Sequence, residues 1–221
     1  MKKIVFSHGF GVRADARGMF TDIAAAFPEY APVMFDYNTL AEDGGVVVSP
    51  IDKQVKMLEA HVVDIDEASV LIAHSQGCIV AALAALPRFR NIILLAPPTA
   101  MSMRRVIEKM KQRPGAEINL DGMSKYPRSD GTFTYLSKEY IKSLDGIDTA
   151  KIYAKLARRQ NVTIIRATND NVLGETNFDN LSGIALIDIA ADHDFTGDAR
   201  SLLVGELRKI LYDAGENNDQ A

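Results

Sequence analysis

The sequence predicts an α/β fold in which a mostly parallel, doubly wound sheet carries helices on both faces. Short apolar runs rich in β-branched residues alternate with longer segments of helical period, as expected of parallel strands joined by crossover helices. Several runs, such as Val-Leu-Ile-Ala at 70–73, are apolar at every position. Continuous apolar runs suit strands that are covered on both faces, as in a parallel sheet.

Six strands and four helices are predicted in alternating order. The strands are predicted over 4–7, 33–37, 70–74, 92–96, 162–167 and 184–189. The helices are predicted over 17–27, 50–63, 77–86 and 199–212. Between 100 and 160 the chain has helix-like ends but no strand-like run, which predicts a short helical segment inserted over one edge of the sheet. The polar tail from 215 to 221 is predicted to be frayed.

Length and composition exclude several classes of protein. With 221 residues, 47% of them hydrophobic, the chain can bury one substantial core. One domain over 1–221 with an insertion over 100–160 is therefore predicted. A formal charge of −4 gives no field that would attract nucleic acid or an anionic membrane. The oligomeric state is left open, a homodimer included.

The sequence also bears on the cellular compartment. No apolar run approaches the roughly 20 residues of a membrane-spanning helix. The apolar run after Met-Lys-Lys is too short for a signal peptide. The single cysteine, Cys78, cannot form an internal disulfide, so nothing ties the fold to an oxidising compartment. We therefore expect a cytoplasmic protein.

The most informative motif is a serine that directly follows an apolar strand. Ser75 has small residues, Ala73 and Gly77, two positions away on each side, and an Ala-rich helix follows. A serine on such a sharp turn needs small neighbours, because larger side chains would collide with the helix or the adjoining strand. The turn places the amide of Gln76 at a helix N-terminus, where it can stabilise an oxyanion. The alternative is an ordinary turn whose serine caps the helix.

The segment Ala73-His74-Ser75-Gln76-Gly77 resembles the Gly-x-Ser-x-Gly nucleophile elbow of the α/β-hydrolase superfamily. Ala73 stands where the family has its first glycine, a substitution that the family tolerates. The resemblance implies the α/β-hydrolase fold, with Ser75 as the nucleophile.

A second motif, His8-Gly9-Phe10-Gly, follows the first predicted strand. In the superfamily a His-Gly pair at this place positions a backbone amide opposite the elbow. The resemblance therefore assigns the N–H of Phe10 to an oxyanion hole shared with Gln76. A glycine-rich turn in which His8 packs or hydrogen-bonds is the alternative. A dinucleotide-binding loop is disfavoured, because Ala14 replaces the third glycine of that fingerprint.

A serine hydroxyl becomes a good nucleophile only when a base takes its proton. Of the four histidines, His8 and His74 belong to the two motifs, and His74 is expected to point away from the nucleophile. His61 lies within a predicted helix. This leaves His193, which follows the last predicted strand, in the loop where the superfamily places its catalytic histidine.

The acid that orients the imidazole is predicted to be Asp170, because it follows the penultimate strand as the family's acid does. Asp192 and Asp194 are nearer in sequence, but residues adjacent to His193 usually project in other directions. The remaining alternatives are Asn169, Glu175 and Asp179. Asp170 could also serve only to close its turn.

The order Ser, Asp, His and the position of each residue after a predicted strand imply a serine hydrolase, most simply a carboxylesterase of class EC 3.1.1. The predicted substrate is a small or medium acyl ester, with no metal or organic cofactor. The compact lid with Gly131-Thr-Phe-Thr and the turn Asn169-Asp-Asn-Val resemble small bacterial esterases of the cinnamoyl and feruloyl type, close to serine aminopeptidase-like hydrolases.

Two other classes of function remain open at this stage. The same triad could cleave a thioester, an amide near a peptide N-terminus, or a carbon–carbon bond. A hydrolase scaffold could also bind a ligand without turnover, because function resides in the site rather than in the fold.

Charge is distributed unevenly along the chain. Residues 101–160 contain 13 Lys and Arg against 7 Asp and Glu, a formal +6, while the remainder carries −10. A solvated helical face is the ordinary reason for such a bias. The alternative is a basic lid that draws acidic acyl groups toward the site.

Overall fold

The computed structural model describes residues 1–128 and 131–212, and these residues form ten strands and seven helices. The strands are β1 (Lys3–Ser7), β2 (Ala31–Val33), β3 (Thr39–Leu40), β4 (Val46–Val48), β5 (Val70–His74), β6 (Asn91–Leu95), β7 (Met123–Pro127), β8 (Phe133–Ser137), β9 (Val162–Ala167) and β10 (Ile184–Ile189). The helices are α1 (Met19–Ala26), α2 (Ile51–His61), α3 (Gln76–Leu83), α4 (Met103–Lys111), α5 (Lys138–Lys142), α6 (Thr149–Ala157) and α7 (Asp198–Tyr212). The tail predicted to be frayed, 215–221, lies outside the described residues.

The central sheet has six strands in the order β10-β9-β6-β5-β1-β2, and every neighbouring pair is parallel. Five of the six predicted strands coincide with strands of this sheet, and the sixth, predicted over 33–37, overlaps β2 only at Val33. The predicted fold class is therefore confirmed. Helices cover both faces, as the uninterrupted apolar strands required: α1 and α7 contact each other on one face, and α2, α3 and α6 pack together on the other.

One predicted strand is misplaced. The pattern predicted a strand over 33–37, but β2 ends at Val33. Tyr37 donates its backbone N–H to His8 Nε2 at 2.9 Å, and so it makes no ladder bond to β1 with that group. Asp36 accepts bonds from the guanidinium of Arg13 and the amide of Ala14. Side-chain bonds to the loop after β1 therefore replace the strand pairing beyond Val33.

The prediction that 100–160 contains no strand is wrong. β7 and β8 form an antiparallel hairpin, and β8 pairs in parallel with β4, giving a second sheet in the order β3-β4-β8-β7. This sheet and helices α4 and α5 share a small apolar core that includes Val48, Met110 and Leu136. The segment is thus mixed helix and strand rather than helical.

The strand order places the loops that carry the sequence motifs side by side. From β1 the chain adds β2 on one side, then returns to add β5 on the other. The loops after β1 and β5 therefore leave the sheet at its topological switch point, where ligand sites form in open α/β sheets. No helix among the described residues is long and apolar enough to cross a membrane.

Candidate active site

The turn between β5 and α3 holds Ser75 in a strained conformation. Its φ of 53° and ψ of −124° lie in a region that non-glycine residues rarely adopt. The Ser75 amide donates to the Leu95 carbonyl at 2.9 Å, which anchors the turn to β6. Helix α3 begins at Gln76, so the amide of Gln76 lies at the helix N-terminus, as the sequence predicted.

Gly77 shows why the elbow needs a small residue. A Cβ atom added there would lie 2.1 Å from the Ser7 carbonyl oxygen and 2.7 Å from that of His8. Both obstacles are backbone atoms at the end of β1, which cannot rotate aside. On the other side of the turn, Ala73 is fully buried within β5.

Gly77→Ala is expected to destabilise the protein by about 3 kcal/mol, because it overpacks a rigid backbone contact. The matched control is Gly205→Ala within α7, where an added Cβ has no atom within 4 Å. The control should raise the free energy of unfolding by about 0.5–1 kcal/mol, since alanine is the better helix former. Urea denaturation measures both. Equal and small effects of the two variants would contradict the close approach of α3 to β1.

The predicted triad residues lie within hydrogen-bonding distance of one another. His193 Nε2 lies 2.9 Å from Ser75 Oγ, and His193 Nδ1 lies 2.6 Å from Asp170 Oδ2. Each residue is only 8% exposed. A carboxylate at Nδ1 favours the tautomer with hydrogen on that atom, which leaves Nε2 free to accept the serine proton.

The Asp170 carboxylate has two partners of different kinds. Oδ1 accepts the backbone N–H groups of Val172 and Leu173, both at 2.8 Å, while Oδ2 faces His193. The sequence left open whether Asp170 closes its turn or orients the imidazole. In the structure one carboxylate oxygen closes the turn and the other faces the His193 ring. Burial opposes ionisation, but the bonds from His193 and from the two amides outweigh it and hold the pKa of Asp170 below its usual value.

The nearby acids bind elsewhere. Asp192 accepts the amide of Thr196 at 2.8 Å, and Asp194 pairs with Arg17 at 2.7 Å. Neither carboxylate contacts the His193 ring through a hydrogen bond.

His8 orients the peptide whose N–H the family resemblance assigns to an oxyanion hole. Its Nε2 accepts the Tyr37 N–H, so Nδ1 carries the hydrogen and donates to the Gly9 carbonyl at 2.9 Å. Burial lowers the pKa of His8, in keeping with this neutral tautomer. In a trans peptide the Phe10 N–H points opposite to the Gly9 carbonyl, so this bond fixes its direction. A Cβ added at Gly9 would lie 3.1 Å from Ser75 Cβ, which shows how closely the loop approaches the elbow.

Sequence reasoning missed a buried chain of hydrogen bonds behind the elbow. Tyr140 Oη donates to Gln76 Oε1 at 2.7 Å, Gln76 Nε2 donates to Gln54 Oε1 at 3.1 Å, and Gln54 Nε2 donates to the Ser49 carbonyl at 2.6 Å. These residues come from α5, α3, α2 and the loop after β4. These hydrogen bonds connect Gln76, the first residue of α3, to the segment predicted as a lid.

His74 does not point away from the site as expected. It lines the same cavity as Ser75, and its ring centroid lies 4.9 Å from that of His193. Its Nε2 donates to the His193 backbone carbonyl at 2.9 Å, so it holds the loop that carries the predicted base. Burial, and secondarily His193, lower the pKa of His74 to about 4, so the ring is neutral at pH 7. The direction of the His74 side chain could have been predicted from the alternation of side chains along a strand, since Val70, Ile72 and His74 share one face of β5.

Ser75 opens into a cavity of about 400 Å³. More than half of the residues that line it come from 100–160, and the loops after β1, β5 and β10 supply most of the rest. Much of the wall is apolar: Phe10, Met101, Val106, Met110, Leu136 and Tyr140. A cavity of this size with a few convergent polar groups suits a small ligand.

One group within the described ranges has ligand atoms spaced for a metal ion. His74, His193 and Asp194 bring such atoms within 4.8 Å of one another. Both ring nitrogens of His193 already lie at hydrogen-bonding distance from Ser75 and Asp170. An ion held by this histidine would therefore displace one of those contacts.

Comparison with known proteins agrees with this architecture. Residues 41–134, which include the elbow, match the family model described as serine hydrolase. No curated protein matches the chain. A hydrolase from Oleispira antarctica, olei00960, superimposes with a TM-score of 0.66 at 14% identity, covering 96% of this chain and 91% of that one.

Two further solved structures share the fold. Est1E from Butyrivibrio proteoclasticus, solved with ferulic acid bound, gives a TM-score of 0.66 at 15% identity, covering 96% of this chain and 89% of its own. The esterase domain of a Rhodothermus marinus protein gives 0.63 at 16% identity, covering 93% and 84%. The predicted resemblance to the α/β-hydrolase superfamily is confirmed. At these identities the likeness concerns the fold alone.

Proposed function

We propose that the protein hydrolyses carboxylic esters through an acyl-enzyme, because residues 41–134 match the serine hydrolase family model and the chain has the α/β-hydrolase fold. Ser75 is the nucleophile, His193 the general base and then acid, and Asp170 the group that orients and stabilises the imidazolium. The observation that carries the proposal is the continuous contact from Asp170 Oδ2 through the His193 ring to Ser75 Oγ, at 2.6 and 2.9 Å.

Acylation follows from this geometry. Ser75 Oγ forms a bond to the ester carbonyl carbon while its proton moves to His193 Nε2. The carbonyl oxygen becomes an oxyanion, which we assign to the amides of Phe10 and Gln76, and each such donor lowers the barrier by about 3 kcal/mol. The intermediate collapses by breaking the bond to the alcohol oxygen, which takes the proton from His193.

Deacylation repeats the same steps with water. His193 Nε2 takes a proton from the water as its oxygen attacks the acyl carbon, and the bond to Ser75 Oγ then breaks. The serine recovers its proton from His193, and the carboxylic acid leaves. These steps need only the residues named, so the proposal includes no cofactor.

We further propose that residues 100–160 act as a lid that selects the acyl group. This segment supplies more than half of the cavity lining and contacts the elbow through Tyr140 and Gln76. The small volume, about 400 Å³, favours short or medium acyl chains.

The test combines labelling with a substrate panel. We expect the wild type to react with a fluorophosphonate probe at Ser75 and to hydrolyse p-nitrophenyl esters, with kcat/KM falling as the acyl chain outgrows the cavity. Acyl thioesters and aminoacyl amides, offered alongside, report on the other bond classes that the same triad could cleave. Ser75→Ala serves as the control for labelling. A wild type that stays unlabelled, yet melts at a higher temperature with a small ligand, would make the protein a binder rather than an enzyme.

A further inference from the structure

The charges around the cavity are of nearly one sign. Five basic residues line it, Arg17, Arg105, Lys109, Arg113 and Arg128, against one acidic residue, Asp194. Asp194 is already paired with Arg17 at 2.7 Å. The excess of positive charge therefore comes from the segment predicted as a lid.

Arg105 and Lys109 are spaced one helical turn apart on α4, so they share a face. Arg105 Nη2 donates to the Leu173 carbonyl at 2.7 Å, and Lys109 Nζ donates to the Val172 carbonyl. These neutral oxygens belong to the turn that Asp170 closes. Among the described residues, no carboxylate lies within salt-bridge distance of Arg105 or Lys109. Both cations thus face the cavity beside the predicted triad with no opposite charge bound.

The other charges of α4 do not line the cavity. Arg104 pairs with Glu108 at 2.8 Å on the solvent side, and Lys111 is exposed. A solvated face explains Arg104, Glu108 and Lys111. Arg105 is half-buried, and Lys109, although exposed, also lines the cavity, so a solvated face alone does not explain these two. Burial, and then the charge of Arg105, lower the pKa of Lys109, as expected where two cations lie close together.

We propose that the preferred substrate is an ester whose acyl chain carries a carboxylate, bound by Arg105 and Lys109 while the ester carbonyl lies at Ser75. This inference rests on the proposed esterase function. Apolar side chains, among them Val106 and Met110, line the cavity beside these cations and would pack against the methylene chain. The cations already point toward the cavity from a helix, so little ordering is needed when the anion binds.

The test compares two esters that differ in one charge. Mono-p-nitrophenyl adipate bears a free carboxylate, and its methyl ester is the neutral counterpart. We expect kcat/KM to be about tenfold higher for the anionic ester at low salt. In about 1 M salt, where screening acts within about 3 Å, the preference should shrink. Spontaneous hydrolysis of each ester is subtracted.

Matched double variants locate the preference. R105Q/K109M should abolish the selectivity ratio, while R104Q/K111M, with the same charge change on the same helix, should keep it. A purely structural role of Arg105 and Lys109 in holding the 172–173 turn would slow both esters equally and leave the ratio unchanged. Equal kcat/KM for the two esters in the wild type, or a ratio that survives R105Q/K109M, would overturn the proposal.

A second measurement separates this inference from the proposed function. If the wild type hydrolyses neither ester, the esterase proposal fails, and binding of the anion is then decided by thermal melting with adipate. A rise in Tm for the wild type and for R104Q/K111M, but not for R105Q/K109M, would support the anion site. The same Tm rise in all three proteins, or none, would overturn it.

Discussion

Replacing Ser75 or His193 by alanine is expected to lower kcat for p-nitrophenyl ester hydrolysis by about six orders of magnitude, and replacing both by no more than either alone. The two groups act as one unit across the 2.9 Å contact between Oγ and Nε2. Without the imidazole the hydroxyl keeps its proton, and without the hydroxyl the base has no nucleophile to activate. We expect the remaining rate to come from substrate binding and from the amides of Phe10 and Gln76, which we assign to the oxyanion hole.

The measurement is kcat for the two single variants and the double variant on one activated ester. His61→Ala is the control for loss of a histidine: His61 stacks on Phe35 at 3.8 Å between ring centroids, at the end of α2. It should leave kcat unchanged, whatever it does to stability. Losses that multiply in the double variant would show that Ser75 and His193 act independently, and activity retained by Ser75→Ala would exclude it as the nucleophile.

The central sheet was predictable because its four inner strands are buried on both faces. Runs of consecutive apolar residues mark β5 and β9, and the predicted limits of both agree with the structure. The predicted limits of β10 also agree, although it is an edge strand with exposed positions. The strand order then brings the carboxyl ends of β1, β5, β9 and β10 to one edge. The elbow motif, the resemblance and the chain order together therefore predicted three residues, Ser75, Asp170 and His193, whose side chains the structure brings into contact.

The second sheet was not predictable from local pattern. β8 reads Phe-Thr-Tyr-Leu-Ser, and the aromatic residues suggest an apolar face, yet the buried residues are Thr134 and Leu136. β7 is largely polar, and β4 has only three residues. These strands form because β4 pairs with β8, which lies more than eighty residues further along the chain. A short stretch of sequence carries no information about a pairing over that separation.

The hydrogen bonds behind the elbow could not be predicted from the sequence either, because they too join distant parts of the chain. Gln54, Gln76 and Tyr140 come from three separate helices, and no spacing rule links them. Each alone is an unremarkable polar residue with a solvated alternative. Only the folded chain shows that they satisfy one another in a buried position, where an unmet partner would cost about 1–3 kcal/mol.

Asp170→Asn is expected to lower kcat by about four orders of magnitude while the fold survives. Asparagine retains an oxygen that can accept the amides of Val172 and Leu173, so the turn stays closed. Its amide NH2 then faces the N–H at His193 Nδ1, and two donors cannot form a hydrogen bond with each other. The imidazole is driven to the tautomer with hydrogen on Nε2, which cannot accept the proton of Ser75.

Asp192→Asn provides the matched comparison, because Asp192 adjoins His193 in sequence but binds the amide of Thr196 instead of the ring. It should change kcat little. Melting temperatures of both variants check that the 170–173 turn and the 192–196 turn remain folded. If Asp192→Asn were the more damaging, or if Asp170→Asn kept near wild-type kcat, the acid would have to be sought elsewhere. The geometry argues against that outcome, because His193 Nδ1 lies 2.6 Å from Asp170 Oδ2 and the second oxygen of that carboxylate is fixed by two amides. An acid held so rigidly orients the ring before substrate arrives, and this preorganisation is what the asparagine variant removes.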